Sequence, residues 1–301
     1  MNRIGVGVVA LRLTFLLALP GLVLPAQTTS GARVELDVPF VAEGGPEQQL
    51  DLYTPAAGGF PTILFVHGGS LVSGDRKDEP YPRMCRTFQA NGIGCATANY
   101  RLAPTHKWPD QPDDVAAAFR WLELNISARG GDPNRIFLFG HSSGCWLTAI
   151  VAADASYLEG AGSDPREVAG VVPMGCRLDD RVEVTDYPPL AYEASWVPPD
   201  RLDDYLESEP AFVSLDQRNA AVPALYVSER LPPTLVLIAE DERFFPPVLR
   251  DGAEFVGRAL ASGAEADLVI LADRTHRTAI ESMVTDDDPA VVTILEFVRA
   301  H

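Results

Sequence analysis

The chain of 301 residues is poor in positive charge: 24 Lys and Arg stand against 42 Asp and Glu, a formal net charge of −18. A surface of that sign repels phosphate backbones and anionic lipid, which excludes nucleic-acid binding and a stable membrane partner as main roles. Cysteine is scarce too. Cys85, Cys95, Cys145 and Cys176 form no CxxC pair and have no histidine at zinc-ligand spacing, so no metal site is expected. The chain also has no glycine-rich phosphate loop, dinucleotide fingerprint, internal repeat or low-complexity tract, and no cofactor is expected. Long apolar runs are missing everywhere except at the N-terminus.

That N-terminus carries Arg3 and then a mostly apolar stretch over 4–24, interrupted by Arg12 and by Pro20-Gly21. Pro25-Ala26 leads into a polar segment. The pattern predicts a signal peptide over 1–26 and an exported protein, periplasmic or secreted. An uncleaved N-terminal anchor is the rival, against which Arg12 and Pro20-Gly21 weigh. Export permits disulfides, and Cys85 with Cys95 is the candidate pair. Cys145 and Cys176 read instead as small buried apolar residues. With 47% apolar residues, the remaining 27–301 suffices for one large α/β domain.

From residue 34 onward, strand-like and helix-like segments alternate. Residues 34–41 and 48–53 alternate polar and apolar side chains, as antiparallel edge strands with one wet face do. The unbroken apolar run 62–66 predicts a central strand. Further strands are expected at 93–99, 135–139, 168–174, 235–239 and 266–271. Helices are expected at 80–91, 113–129, 145–153, 247–261 and 290–298, the second with a stripe of Val115, Phe119, Leu122 and Ile126. The order implies a mostly parallel sheet with helices on both faces. Residues 175–231 break the rhythm with prolines, acids and aromatics, among them Tyr187, Pro188, Pro189, Tyr192, Trp196 and Tyr205. A long aperiodic insertion after a core strand predicts a cap.

Gly140-His141-Ser142-Ser143-Gly144 stands between the strand 135–139 and the helix 145–153. In that setting Gly-x-Ser-x-Gly is a nucleophile elbow, a strained turn that lifts the Ser142 hydroxyl off the sheet. A serine needs a base, and the chain offers five histidines. His141 adjoins the serine on the strained turn, His67 belongs to a glycine turn, His106 lies in an upstream proline-rich loop and His301 ends the chain. His276 remains, just beyond the last strand, where catalytic groups gather in open α/β sheets. The acid belongs after the strand 235–239, where Glu240, Asp241 and Glu242 follow one another; Glu242 and Asp241 both stay open. His67-Gly68-Gly69-Ser70 follows the strand 62–66, so the N–H groups of Gly68, Gly69 and Ser143 are the candidate oxyanion donors. Asp286-Asp287-Asp288, ahead of a proline, reads as a helix lead-in, and the sequon at Asn125 falls in an expected helix.

Together with Asn99-Tyr100-Arg101-Leu102-Ala103-Pro104 and Gly131-Asp132-Pro133-Asn134-Arg135-Ile136, these motifs resemble the α/β-hydrolase superfamily. The resemblance is to its hormone-sensitive-lipase-like and BD-FAE-like carboxylesterases, near the arylformamidases. It implies an α/β-hydrolase fold with a cap insertion and a serine carboxylesterase acting on small to medium acyl esters through an acyl-enzyme. In that template the acid stands three residues after the small residue ending its strand, which favours Glu242. Arg101 and Pro104 are implied to brace the loop beside the oxyanion turn. Ser70 replaces a usual third glycine, His141 and Ser143 replace Asp and Ala, and Glu242-Arg243 replaces Asp-Pro. These departures shift the resemblance toward the esterase and arylformamidase side. An arylformamidase is therefore the alternative enzyme, and a non-catalytic binding protein on the same scaffold is the alternative class.

Overall fold

The structure is a computed structural model that describes residues 31–185, 195–244 and 246–301. The expected leader over 1–26 lies outside the described residues, as do Tyr187, Pro188, Pro189 and Tyr192 of the expected cap. The chain runs β1 (Arg33–Pro39), β2 (Gln49–Thr54), β3 (Phe60–Val66), α1 (Tyr81–Ala90), β4 (Gly94–Ala98), α2 (Asp110–Asn125), β5 (Gly131–His141), α3 (Ser143–Ala153), α4 (Ala155–Ala161) and β6 (Val168–Met174). Next come β7 (Val182–Val184), β8 (Ser195–Val197), α5 (Leu202–Ser208) and α6 (Leu215–Ala220). The chain then rejoins the main rhythm with β9 (Thr234–Ala239), α7 (Pro246–Ser262), β10 (Ala266–Leu271), α8 (His276–Glu281) and α9 (Pro289–Ala300).

Among the described residues eight strands form one sheet in the order β1-β2-β4-β3-β5-β6-β9-β10, and β7 pairs with β8 apart from it. Only β2 runs antiparallel to its neighbours β1 and β4; the other pairs are parallel. Period-2 alternation sends successive side chains to opposite faces. Ile63, Phe65, Phe137, Phe139, Leu235 and Leu237 pack with residues of α1, α8 and α9 on one side. Leu64, Val66, Ile136 and Leu138 face α2 and α3 on the other, where Val236 and Ile238 meet α7. The α/β-hydrolase architecture expected from the motifs is therefore present, with helices on both faces.

Two expectations are corrected. β2 is not an edge strand with a wet face, since it lies between β1 and β4 and is buried from Leu50 to Thr54. Asp51, the residue that suggested a solvated face, is 1% exposed and is neutralised by Arg76 Nε at 3.0 Å. A paired charge can be buried where a lone one cannot. The second correction concerns cysteine. Cys85–Cys95 is bonded, but Cys145 and Cys176 are bonded to each other as well, not two separate apolar residues. Their 31-residue separation hid the pairing; β6 returns the chain beside α3, which no local pattern encodes.

Candidate active site

The loops that matter all leave the carboxyl ends of parallel strands: after β3, β5, β6, β9 and β10. That edge of an open α/β sheet is where strand ends and helix starts leave space for a ligand.

Ser142 sits between β5 and α3 with φ 57° and ψ −125°, a conformation that costs on the order of 1–3 kcal/mol. The flanking glycines make it possible. A Cβ on Gly140 would stand 2.0 Å from the Gly144 carbonyl oxygen, and one on Gly144 would stand 2.1 Å from that of Val66. The Ser142 N–H donates to Met174 O at 3.0 Å, fastening the turn to β6. The turn after β3 lies directly against the serine: a Cβ on Gly68 would come within 2.8 Å of Ser142 Cβ. Gly69 has φ +119°, and its carbonyl accepts the N–H groups of Val72 and Ser73, each at 3.0 Å. Ser70 and Leu71 follow at φ 54° and 64°, left-handed values that are uncommon outside glycine. Sequence reasoning missed this pair; its one cue was Ser70 standing where glycine is usual.

The segment 100–104 backs that turn through Tyr100 and Ala103. Tyr100 stacks on His67 with ring centroids 4.4 Å apart and donates its hydroxyl to His67 O at 3.1 Å. Arg101 grips Asp114 through Nε at 2.8 Å and Nη2 at 2.9 Å. The Ala103 N–H donates to Leu71 O at 2.9 Å.

Of the two acids left open, Glu242 meets the histidine. It is 5% exposed, and its Oε1 accepts from His276 Nδ1 at 2.6 Å. Its Oε2 accepts the Ala239 N–H at 2.8 Å, which aims the carboxylate. Asp241 does not reach the ring: its N–H donates to Arg274 O at 3.1 Å, and its Oδ1 is buried without a partner among the described residues. The Glu242 hydrogen bond, ahead of the opposing effect of burial, raises the His276 pKa above the ordinary histidine value. His276 opens α8, whose start is held by a Thr275–Thr278 capping box. Gly175, at φ +71°, passes beside the pair; a Cβ there would stand 3.0 Å from Glu242 Oε1 and 3.2 Å from His276 Nδ1.

His141 has a place that elimination did not foresee. It is buried, its Nε2–H donates to the His276 carbonyl at 2.9 Å, and the two rings lie 4.6 Å apart. Burial, then the neighbouring His276, pushes its pKa down to about 4. Nothing in the sequence marks that contact.

A cavity of about 240 Å³ opens beside these groups, lined by Ser142, Ser143, Ser70, Trp146 and Gly175 and, from the segment after β6, Arg177, Glu209 and Arg218. The Ser142 hydroxyl makes no hydrogen bond among the described residues. Among those residues no group of His, Cys, Asp or Glu could hold a metal ion, and no helix is long and apolar enough to cross a membrane. Asp288 of the acidic run caps α9 by accepting the Ala290 N–H at 3.0 Å, in keeping with its reading as a helix lead-in.

A family model described as the alpha/beta hydrolase fold matches residues 63–280. Among curated proteins, the probable carboxylic ester hydrolase LipM of Mycobacterium tuberculosis is 27% identical over 213 residues, 68% of this chain and 47% of that protein. The gibberellin receptor GID1 of Oryza sativa is 40% identical over 105 residues, 34% of this chain and 30% of the receptor. The chain thus spans less than half the length of these curated relatives. Among solved structures, a truncated carbohydrate esterase from gut microbiota aligns with a TM-score of 0.72 at 17% identity, covering 92% of this chain and 98% of that one. At that identity the likeness is one of fold. With the sheet order, the elbow and a family match over most of its length, the chain belongs to the alpha/beta hydrolase fold family.

Proposed function

We propose that the protein is an exported serine carboxylesterase for small to medium acyl esters. The Glu242–His276 hydrogen bond of 2.6 Å carries this reading. With Nδ1 engaged by the buried carboxylate, the ring keeps Nε2 for the Ser142 hydroxyl, and the imidazolium that forms is stabilised by Glu242. Ser142 attacks the ester carbonyl while His276 takes its proton. Backbone N–H groups of Ser143 and of the Gly68–Gly69 turn hold the oxyanion. His276 then protonates the departing alcohol, and water enters by the same route to free the acyl-enzyme. The segment 175–231 serves as the cap, supplying Arg177, Glu209 and Arg218 to the cavity. Export is supported by two disulfides with no free cysteine among the described residues, since such bonds persist in oxidising compartments.

A fluorophosphonate probe is expected to label the wild type and not Ser142→Ala, and that substitution is expected to lower kcat on a nitrophenyl ester by roughly 10⁶-fold. Folded wild-type protein that resists the probe would favour the binding reading, which the likeness to a receptor keeps in view. Turnover of N-formylkynurenine orders of magnitude above that of short nitrophenyl esters would replace the esterase with an arylformamidase.

A further inference from the structure

His141 ends β5, next in the chain to Ser142, and a Ser-His-acid scheme gives it no task. It is 6% exposed. Its Nε2–H donates to the His276 carbonyl at 2.9 Å, and the two rings lie 4.6 Å apart with their planes 35° from parallel. A carbonyl only accepts, so this bond fixes the proton of His141 on Nε2. Burial, then the neighbouring His276, lowers its pKa to about 4. A ring held neutral in this way sets no like charge beside an imidazolium formed on His276.

The stretch that carries the base needs such an anchor. His276 opens the six-residue α8 with its side chain 45% exposed, and Ala272, Asp273, Thr275 and Arg277 around it are exposed. Several hydrogen bonds tie this stretch down. The Asp273 N–H donates to Glu240 Oε2 at 2.7 Å, the Asp241 N–H to Arg274 O at 3.1 Å, Arg274 Nη2 to Asp288 Oδ2 at 2.7 Å, and His276 Nδ1 to Glu242 Oε1 at 2.6 Å. Those bonds lead to the loop after β9 or to the start of α9. The His141 bond leads instead to β5, the strand that delivers Ser142. A nucleophile and its base must be held close to their working distance, since a misplacement of about 1 Å can cost on the order of 10²-fold in rate. The aspartate usual at this position in lipase relatives could not make the bond, because an ionised carboxylate only accepts.

We propose that His141 is a positioning residue for the base, its hydrogen bond to the His276 carbonyl setting the distance between the imidazole and the Ser142 hydroxyl. Two consecutive residues then address one histidine, Ser142 at its ring and His141 at its backbone. This rests on the esterase reading and adds to it a residue that touches no reacting atom. The test measures kcat and KM on nitrophenyl acetate, and the rate of fluorophosphonate labelling, in His141→Gln, His141→Met and His141→Phe. Glutamine places an amide N–H at about the reach of Nε2, methionine matches its length without a donor, and phenylalanine keeps a ring against His276 without the N–H. His141→Met and His141→Phe are expected to lower kcat and the labelling rate by about 10–100-fold with KM within about 3-fold, while His141→Gln stays within about 5-fold of wild type. Rates are counted per probe-titrated site, so a purely structural role, which lowers the amount of folded protein, does not mimic the loss. The glutamine and methionine variants decide the matter if His141→Phe fails to fold. Wild-type kcat per site in His141→Met, or a rise in KM alone, overturns the inference and leaves the esterase standing. Loss in His141→Gln as deep as in His141→Met, with His141→Phe unaffected, overturns it in favour of the ring contact. Folded wild-type protein that hydrolyses no ester and resists the probe brings down both readings.

Discussion

The elbow at 140–144 and the segment after β6 face one cavity from two sides, and they are held by different forces. The elbow is a backbone device: Gly140 and Gly144 are wedged against carbonyl oxygens at 2.0 and 2.1 Å from where a Cβ would stand, and Ser142 carries the strain. The opposite side is held by side chains that meet across long separations. Arg177 reaches Asp251 at 2.7 Å, Arg258 reaches Asp179 at 2.7 Å, and Asn219 clasps the Val182 backbone with two bonds of 2.8 Å. Backbone sterics tolerate almost no substitution, whereas long side-chain pairs can be exchanged for others of equal strength. The proposed chemistry therefore sits on the rigid side and the proposed cap on the exchangeable one.

The largest effect that sharpens this contrast belongs to the acid. Glu242→Gln keeps the shape and removes the charge, and a loss of kcat on the order of 10³–10⁴ is expected. Because the proposed base, His276, would work deprotonated and Glu242 raises its pKa, wild-type activity is expected to fall on the acid side through a pKa above the ordinary histidine value. In Glu242→Gln that limb moves to lower pH. Asp241→Asn, which leaves the ring untouched, is expected within about 10-fold of wild type, by the same triad logic; steady-state pH profiles of the two variants separate them. Equal losses would mean that the wrong carboxylate has been assigned.

The next effect tests the rigidity of the elbow. Gly144→Ala drives a methyl group into the Val66 carbonyl and is expected to destabilise by on the order of 4 kcal/mol. Gly160→Ala, in α4 with nothing within 4 Å of its would-be Cβ, is expected to be neutral or to stabilise by about 0.5–1 kcal/mol. Urea unfolding curves measure both. A mild Gly144→Ala would show that the turn has slack.

The Cys145–Cys176 bond links the two sides, three residues from Ser142 and one from Gly175. Closing its 31-residue loop is worth about 3–4 kcal/mol in the chain-entropy account. Cys145→Ala with Cys176→Ala is expected to lower Tm by roughly 5–10 °C. Scanning calorimetry under non-reducing conditions reads the shift, and an unchanged Tm would show that the segment docks without its tether.

The smallest effect concerns His141. Its folded pKa of about 4 lies below the unfolded value of about 6.5, so the unfolded chain binds the proton more readily. The stability linked to this residue is complete above pH 6.5 and is lost as pH falls through that window toward 4, on the order of 3 kcal/mol in all. His141→Asn retains a donor for the His276 carbonyl without titrating there. Its melts between pH 7 and 4 are expected to fall less steeply than those of wild type.

Much of the fold was legible because apolar periodicity reports burial directly, as the seven-residue β3, buried throughout, illustrates. The burial of β2 escaped because Asp51 looks solvated until Arg76 arrives from 25 residues away. The α4 helix, only seven residues long, carried too short a pattern to be seen. Ser142 and the Glu242–His276 candidates were legible because a strained turn demands glycines and because strand order limits which loops can meet. His141, Ser70 and Arg218 were not, since each matters through a neighbour that the chain reaches only after folding.

By itself the sequence determined the sheet-forming runs, the serine turn and a short list of acids and histidines, because each is imposed by local sterics or by a period of two or 3.6 residues. Tertiary structure alone decided that Glu242 rather than Asp241 meets the imidazole, that Cys145 joins Cys176, and that Arg218 lies over Trp146. Those pairs stand 34, 31 and 72 residues apart in the chain. Only a folded sheet with helices packed on both faces brings such segments within reach.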